Sequence, residues 1–249
     1  MIEVRELHEQ AELAEAVNLQ KIIWGFEEIE LLPVRLLVVA TKVGGQVLGA
    51  FEGRKLVGFC FCIPGLKPGG KSYLHSHMMG VLEGYRDKGV GRMLKSQQRA
   101  DALARDIDLI EWTFDPLEIK NAFFNIERLG VVVRRYVLNQ YGTTTSHLHG
   151  GLPTDRCVAE WYIASPRVEV IFGGSVPPRH ELPHQEIAAR IGVPSEIAAL
   201  RQSGVKRARE IQMSVSDQFL HYFDQGLAVV GFEKSAAAGT YLLGPWESK

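Results

Sequence analysis

Apolar and polar residues alternate along this chain with two periods, and the switches between them outline its elements. Residues 2–6 alternate one by one, as a half-buried strand does. Residues 8–24 change to the helical period, with Leu13, Ala14, Val17 and Trp24 on one side. An acidic, loop-like stretch (Glu27, Glu28, Glu30) follows, and Pro33 is suited to open a second short helix through Leu36, Leu37 and Ala40. Segments 46–51 and 55–64 read as a hairpin around Glu52-Gly53-Arg54. A loop rich in Gly and Pro then leads to an apolar strand over 74–82.

That strand runs into Glu83-Gly84-Tyr85-Arg86-Asp87-Lys88-Gly89-Val90-Gly91-Arg92, and a helix begins at once, with Val90, Met93, Leu94, Ala100 and Leu103 on one face. A fifth strand over 108–114 ends at Asp115-Pro116, a helix over 118–129 stops at Gly130, and a sixth strand covers 131–141. A polar loop, Thr143-Thr144-Thr145-Ser146, precedes a seventh strand over 156–165. Proline turns over 174–184, short helical stretches near 185–191 and 195–201, and a longer helix over 205–224 anchored by Phe219, Tyr222 and Phe223 come next. Strands over 227–232 and 240–243 close the chain around a turn at 235–239. No linker interrupts the pattern. Residues 1–150 are expected to form a core, and 151–249 an extension integrated into the same domain and adding strands and helices.

A strand, a glycine loop and a helix N-terminus in series form a site for a phosphate or pyrophosphate. Glycine lets the backbone approach closely, the first-turn amides are unpaired, and Arg86, Lys88 and Arg92 add positive charge. The alternative is a tight turn with solvated charges. G-x-x-x-x-G-K-[ST] does not occur, and Leu94 stands where the dinucleotide fingerprint needs its third glycine. What remains is R-x-x-G-x-G, Arg86 to Gly91, preceded by a strand ending in Val81 and by a Tyr85-Arg86 pair. This run resembles the acyl-CoA signature of the GNAT (Gcn5-related N-acetyltransferase) superfamily. The resemblance implies an α+β fold, a mixed and mostly antiparallel twisted sheet flanked by helices. The order strand, two helices, antiparallel strands, helix and strand over 1–142 agrees with it.

With 46% hydrophobic and 23% charged residues the chain reads as globular, and a net charge of −1 argues against a general nucleic-acid binder, which needs a basic face. Neither a cleavable signal pattern nor a bilayer-spanning apolar run is evident, so a cytoplasmic protein with no membrane partner is expected. Cys60 and Cys62 share one face of a strand and, with Cys157, read as buried free thiols rather than a disulfide framework or zinc site.

The resemblance carries site residues with it. Splaying of the fourth and fifth strands would leave backbone groups around Met79, Gly80 and Val81 free for pantetheine, with an amide of Met79 or Gly80 facing the thioester carbonyl. The loop Arg86, Asp87, Lys88, Gly89, Val90, Gly91 and Arg92 would take the pyrophosphate. His75 stands where many family members carry a glutamate base, and His77 is expected beside it on the same face, near substrate. Both imidazoles can equally be hydrogen-bonded packing groups, and His-x-His as a metal pair lacks a nearby third ligand. Glu111, which interrupts an apolar strand, is the competing base; it is either paired in the interior or faces solvent on an outer surface, and in an apolar cleft its pKa would be raised. The family's usual general-acid tyrosine falls on Ile126, so another group such as Tyr136 or Tyr141 would have to protonate the thiolate, or none does. Asn121 and Asn125 are carried over as contacts to the CoA arm, with helix capping the alternative for Asn121.

The segments Asp115-Pro116-Leu117, Asn121-Ala122, Asn125, Leu129-Gly130 and Leu152-Pro153-Thr154-Asp155-Arg156 resemble one branch of the superfamily, some of whose members accompany racemases of N-succinylated amino acids. The branch thus implies succinyl-CoA beside acetyl-CoA, and an amino acid as acceptor. Arg156 offers a fork of donors suited to a carboxylate, or pairs with Asp155 or a sheet neighbour. The expected activity is acyl-CoA-dependent N-acylation of a small amine without a metal, homodimerisation being left open. The rival is a non-catalytic acyl-CoA-binding or regulatory module of the same fold.

Overall fold

The computed structural model describes residues 1–142, 151–173 and 186–246. The expected loop at 143–146 and the proline turns over 174–184 lie outside the described residues. The chain divides into two compact units, residues 1–112 and, among the described residues, 113–142, 151–173 and 186–246.

In the first unit β1 (Ile2–Glu6), β2 (Gln46–Glu52), β3 (Lys55–Leu66) and β4 (Ser72–Val81) are antiparallel neighbours in that order, and β5 (Leu109–Phe114) joins β4 in parallel. Helices α1 (Gln10–Trp24) and α2 (Val34–Lys42) cover one face, where Leu13, Ala16, Leu19, Leu37 and Ala40 meet Val47, Phe51, Phe59 and Phe61. Helix α3 (Val90–Leu103) covers the other, where Val90 and Leu94 meet Leu48, Ala50, Val57 and Cys60. Helices on both faces explain why β2 and β3 read as nearly continuous apolar runs.

Two helical faces differ from expectation. On α1 the buried positions are Leu13, Ala16, Leu19 and Gln20, and Ala14 is exposed. On α3 they are Val90, Leu94, Lys95, Gln98 and Ala102, whereas Met93 and Ala100 face outward. Apolar periodicity placed Val90 and Leu94 correctly but turned the rest of the α3 face away from its inward residues, because two of these, Lys95 and Gln98, are polar.

The second unit builds a sheet in the order β7 (Arg156–Tyr162), β6 (Val132–Val137), β9 (Leu227–Lys234), β10 (Ala238–Pro245) and β8 (Ala189–Pro194), with every one of these neighbours antiparallel. Its helices are α4 (Ile119–Phe123), which continues into a π-helical turn over Phe124–Arg128, then α5 (Pro166–Phe172), α6 (Ile197–Ser203) and α7 (Val205–Asp224). Phe219 of α7 lies 5.1 Å from the ring of Tyr136 and 5.0 Å from that of Tyr241, between centroids, which makes an aromatic centre for the core.

Three expectations are corrected here. Residues 185–191 were read as helical, yet the chain forms β8 from Ala189, with Ile191 and Val193 buried against β10. The sixth and seventh strands stop at Val137 and Tyr162, short of residues 141 and 165, and α5 was not foreseen. The Pro166 start of α5 is capped by Ser165, whose side chain accepts from the Val168 amide, a signal that was legible in Ser-Pro.

Candidate functional site

Strand β4 carries a bulge. Phe61 of β3 opposes Met78 and Cys62 opposes Ser76, which leaves His77 without a partner across the ladder. Its imidazole stands edge-on to Phe61, 6.1 Å between centroids, and 6.0 Å from the ring of His75. The two histidine rings are thus neighbours, as alternation along the strand led one to expect.

The parallel ladder to β5 is short. Leu74 is in register with Ile110 and His75 with Glu111, and among the described residues no later pair is formed between the strands. Among the described residues, the residues of β4 beyond His75, including Met79, Gly80 and Val81, have no partner in register on β5. An open edge offers backbone donors and acceptors to an extended ligand, as an added strand would take them. Gly80 has a further reason to be glycine: a Cβ there would come within 2.7 Å of Ile23 Cδ1 and 2.8 Å of Trp24, so the residue admits close packing by α1.

Beyond Val81 a single 3₁₀ turn, Glu83–Tyr85, brings the chain into the basic loop. The Arg86 amide is used by Glu83 O, and Arg86 Nε donates to Val81 O at 3.2 Å, which ties the loop to the end of β4. Asp87 (φ 59°) and Gly89 (φ 81°) are left-handed, and such residues build the concave amide nests that bind anions. Among the described residues, the amides of Asp87, Lys88, Gly89, Val90 and Gly91 donate to no backbone carbonyl, and the first loop-to-helix bond runs from Met93 N to Gly89 O. Asp87 and Lys88 are exposed, and Arg92 is half-buried in the first turn of α3. Free amides at the positive end of a fourteen-residue helix are what a pyrophosphate requires.

At the other end of the opening stand His75, His77 and Glu111. Burial lowers the pKa of His75 to about 4, with His77, Lys95 and Lys67 adding to the shift, so the ring is neutral at pH 7. His77 retains more exposed surface, yet the protein atoms around it lower its pKa as well. Glu111 is buried, and Lys67 Nζ donates to its Oε1 at 2.6 Å. Of the two alternatives, interior pairing is therefore the one Glu111 adopts, with Lys67 as its partner. Lys67, in the loop after β3, also lies 4.6 Å above the ring of Tyr73. Among the described residues no group of His, Cys, Asp and Glu is arranged to hold a metal. All three cysteines are free and buried, as expected.

Other expected site residues lie in the second unit. Asn125 is buried, and its Nδ2 donates to Asn121 Oδ1 at 3.3 Å. Asn121 does not cap its helix, since the N-cap position is Glu118. Ile126 is fully buried in the π-helical turn. The Tyr136 hydroxyl is engaged by Ser216 Oγ at 2.9 Å and Asp155 Oδ2 at 3.3 Å, and burial raises its pKa, which leaves it unsuited to give up a proton. The Tyr141 hydroxyl lies 2.9 Å from Thr113 Oγ1. Arg156 is buried: it donates to Asp155 O at 3.2 Å, stands 3.8 Å from Asp115 Oδ2, and caps the Tyr141 ring at 5.4 Å. Asp115 also pairs with Arg201 at 2.7 Å, so Arg156 belongs to a buried polar cluster. Sequence reasoning missed Lys67, Lys95 and Ser76; the one signal for Lys95 was a lysine one position after Leu94, on the inward side of α3.

No family model matches the sequence, and no curated protein matches it. Solved structures do match the fold. NAA60 of Arabidopsis thaliana bound to a bisubstrate analogue superposes with a TM-score of 0.53 at 13% identity, over 65% of this chain and 98% of that one. The same protein bound to acetyl-CoA gives 0.52 at 13% identity, over 66% and 100%. The ribosomal-protein-S18-alanine N-acetyltransferase of Escherichia coli gives 0.52 at 14% identity, over 66% and 96%. This chain therefore has the GNAT fold, as its basic loop implied.

Proposed function

We propose that this protein is an acyl-CoA-dependent N-acyltransferase that transfers an acetyl group to the amine of a small molecule. The observation that supports the reading is a pairing of features on one strand: among the described residues the β4–β5 ladder ends at His75 and Glu111, and β4 leads through one 3₁₀ turn to residues 87–91, whose amides donate to no backbone carbonyl there. An acyl-CoA is long, with an anionic pyrophosphate at one end of the pantetheine arm and a thioester at the other. The loop amides suit the first, the open β4 edge at Met79, Gly80 and Val81 the arm, and the His75–Glu111 end the reacting amine. Arg86, Lys88 and Arg92 supply positive charge near the phosphates, and Asn121 and Asn125 are further candidates for the CoA arm.

In the reaction the amine nitrogen attacks the thioester carbonyl, the C–N bond forms, and the C–S bond breaks. The amine must first lose a proton. His75 is neutral at pH 7 and so able to accept one, with His77 flanking the substrate. Glu111, held by Lys67, is the second acceptor. The acyl group is acetyl by default. Succinyl and an amino-acid acceptor rest on the branch resemblance alone, and the fold neighbours named for peptide or protein acceptors make a peptide amine a further option.

A non-catalytic acyl-CoA-binding module is favoured by one feature, the absence of an acid at Ile126 together with the sequestered Tyr136 hydroxyl. Incubating the protein with acetyl- or succinyl-CoA and a pool of amino acids, amines and short peptides separates the two. Thiol release with a mass-shifted product is expected; CoA binding without turnover would establish the module.

A further inference from the structure

Helix α3 buries a lysine where its apolar pattern offers none. The Lys95 side chain is almost wholly enclosed, and its Nζ donates to Ser76 Oγ at 2.9 Å and to Gln98 Oε1 at 2.9 Å. The same Nζ lies 3.7 Å from the centroid of the Trp112 ring. Ser76 and Trp112 are no arbitrary pair. The last residues in register between β4 and β5 are His75 and Glu111, and Ser76 and Trp112 are the next residue on each strand. The amine thus touches both strands at the first position beyond their paired residues.

We infer that Lys95 is a positioning residue for the acyl-CoA cleft: it seats Ser76 of β4 and Trp112 of β5 around one amine and so fixes where, and how far, the two strands part. The inference rests on the acyl-CoA reading above. Ser76 is pinned from two directions, because Gln98 Nε2 also reaches its Oγ at 3.3 Å and Cys60 Sγ at 3.3 Å. It stands between His75 and the bulged His77, so holding Ser76 holds the backbone from which both imidazoles project. The Trp112 face suits a cation, and an ammonium there is attracted to the ring quadrupole. Burial lowers the Lys95 pKa, an expense in stability that packing alone does not require. A methionine of similar length would fill the same space without it.

The test uses the whole chain and reads three quantities: melting temperature, amide hydrogen exchange and the Kd for acetyl-CoA. In Lys95→Met the expected result is a melting temperature equal to or above wild type, and faster amide hydrogen exchange confined to residues 76–81 and 110–114. The Kd for acetyl-CoA, by calorimetry, rises roughly tenfold, the scale of a small displacement of binding groups. Ser76→Ala should give the same exchange pattern and a similar loss, and the double variant should lose little more, because the two act as one unit. Should Lys95→Met fail to fold, Ser76→Ala carries the test alone. Exchange and Kd both within about twofold of wild type would overturn the inference, as would a fall in melting temperature with Kd unchanged. If the wild type itself shows no affinity for acetyl- or succinyl-CoA, the functional reading fails and this role with it. A wild type that binds and a variant that binds equally well defeat the Lys95 role alone.

Discussion

His75 stands opposite Glu111 in the parallel register of β4 and β5, and theirs is the last pair before the strands part. A neutral imidazole and a carboxylate held by Lys67 thereby share the closed end of the opening. If His75 takes the amine proton, His75→Ala lowers kcat roughly 10²–10⁴-fold and leaves the Kd for acyl-CoA nearly unchanged. Glu111→Gln is the competing variant. Wild-type rates in both across the pH range would remove both from the base role.

The left-handed Gly89 at the mouth of α3 gives the cofactor prediction. Gly89→Asp forces a side chain into a φ of 81° and puts negative charge beside the free amides. Its intrinsic stability should fall by about 1 kcal/mol. Acetyl-CoA, which is expected to raise the melting temperature of the wild type by mass action, should leave that of the variant unchanged. A thermal melt with and without ligand decides it.

Stability should depend on pH through His75. The folded ring stays neutral down to about pH 4, whereas an unfolded histidine protonates near 6.5. Between these values the unfolded chain binds the extra proton, so stability falls as pH is lowered through that window and is fully present above it. His77, lowered in the same direction, adds to the effect. Denaturant midpoints at pH 7 and about pH 4.5 should differ in the wild type, and His75→Gln should narrow the difference. An unaltered difference in the variant would refute the assignment.

Asp115 anchors the second unit. It pairs with Arg201 at 2.7 Å, lies near Arg156, and accepts from the Leu117 amide at 2.9 Å, while Arg201 also reaches Glu118 at 2.7 Å. Asp115→Ala leaves buried guanidinium groups without this carboxylate, and a loss on the order of 3–5 kcal/mol is expected from chemical denaturation. Arg156→Lys, which keeps charge and loses the planar fork, should lower the melting temperature and leave KM alone if Arg156 is structural. A raised KM for a carboxylated substrate with the melting temperature intact would restore its substrate role.

Much of this architecture follows from the sequence by itself. Strand and helix periods gave the order of elements through β6, and α7 matched its expected span because its inward residues recur at helical spacing from Ala208 to Phe219. The phosphate loop was legible because its chemistry is local: Gly89, the basic residues and the helix start lie within a few positions of one another. What the sequence could not determine depends on partners far away in the chain. Residues around Ala189 favour a helix locally, but hydrogen bonding to β10 makes them a strand. The bulge at His77 exists only because β3 pairs with β4 in a register that skips it. Glu111 reads as either paired inside or solvent-facing, and a loop forty-four residues earlier decides it by bringing Lys67 to the carboxylate. The tertiary structure alone puts Ser76 and Trp112 around the Lys95 amine, because a buried polar network is invisible to a pattern that counts only apolar positions.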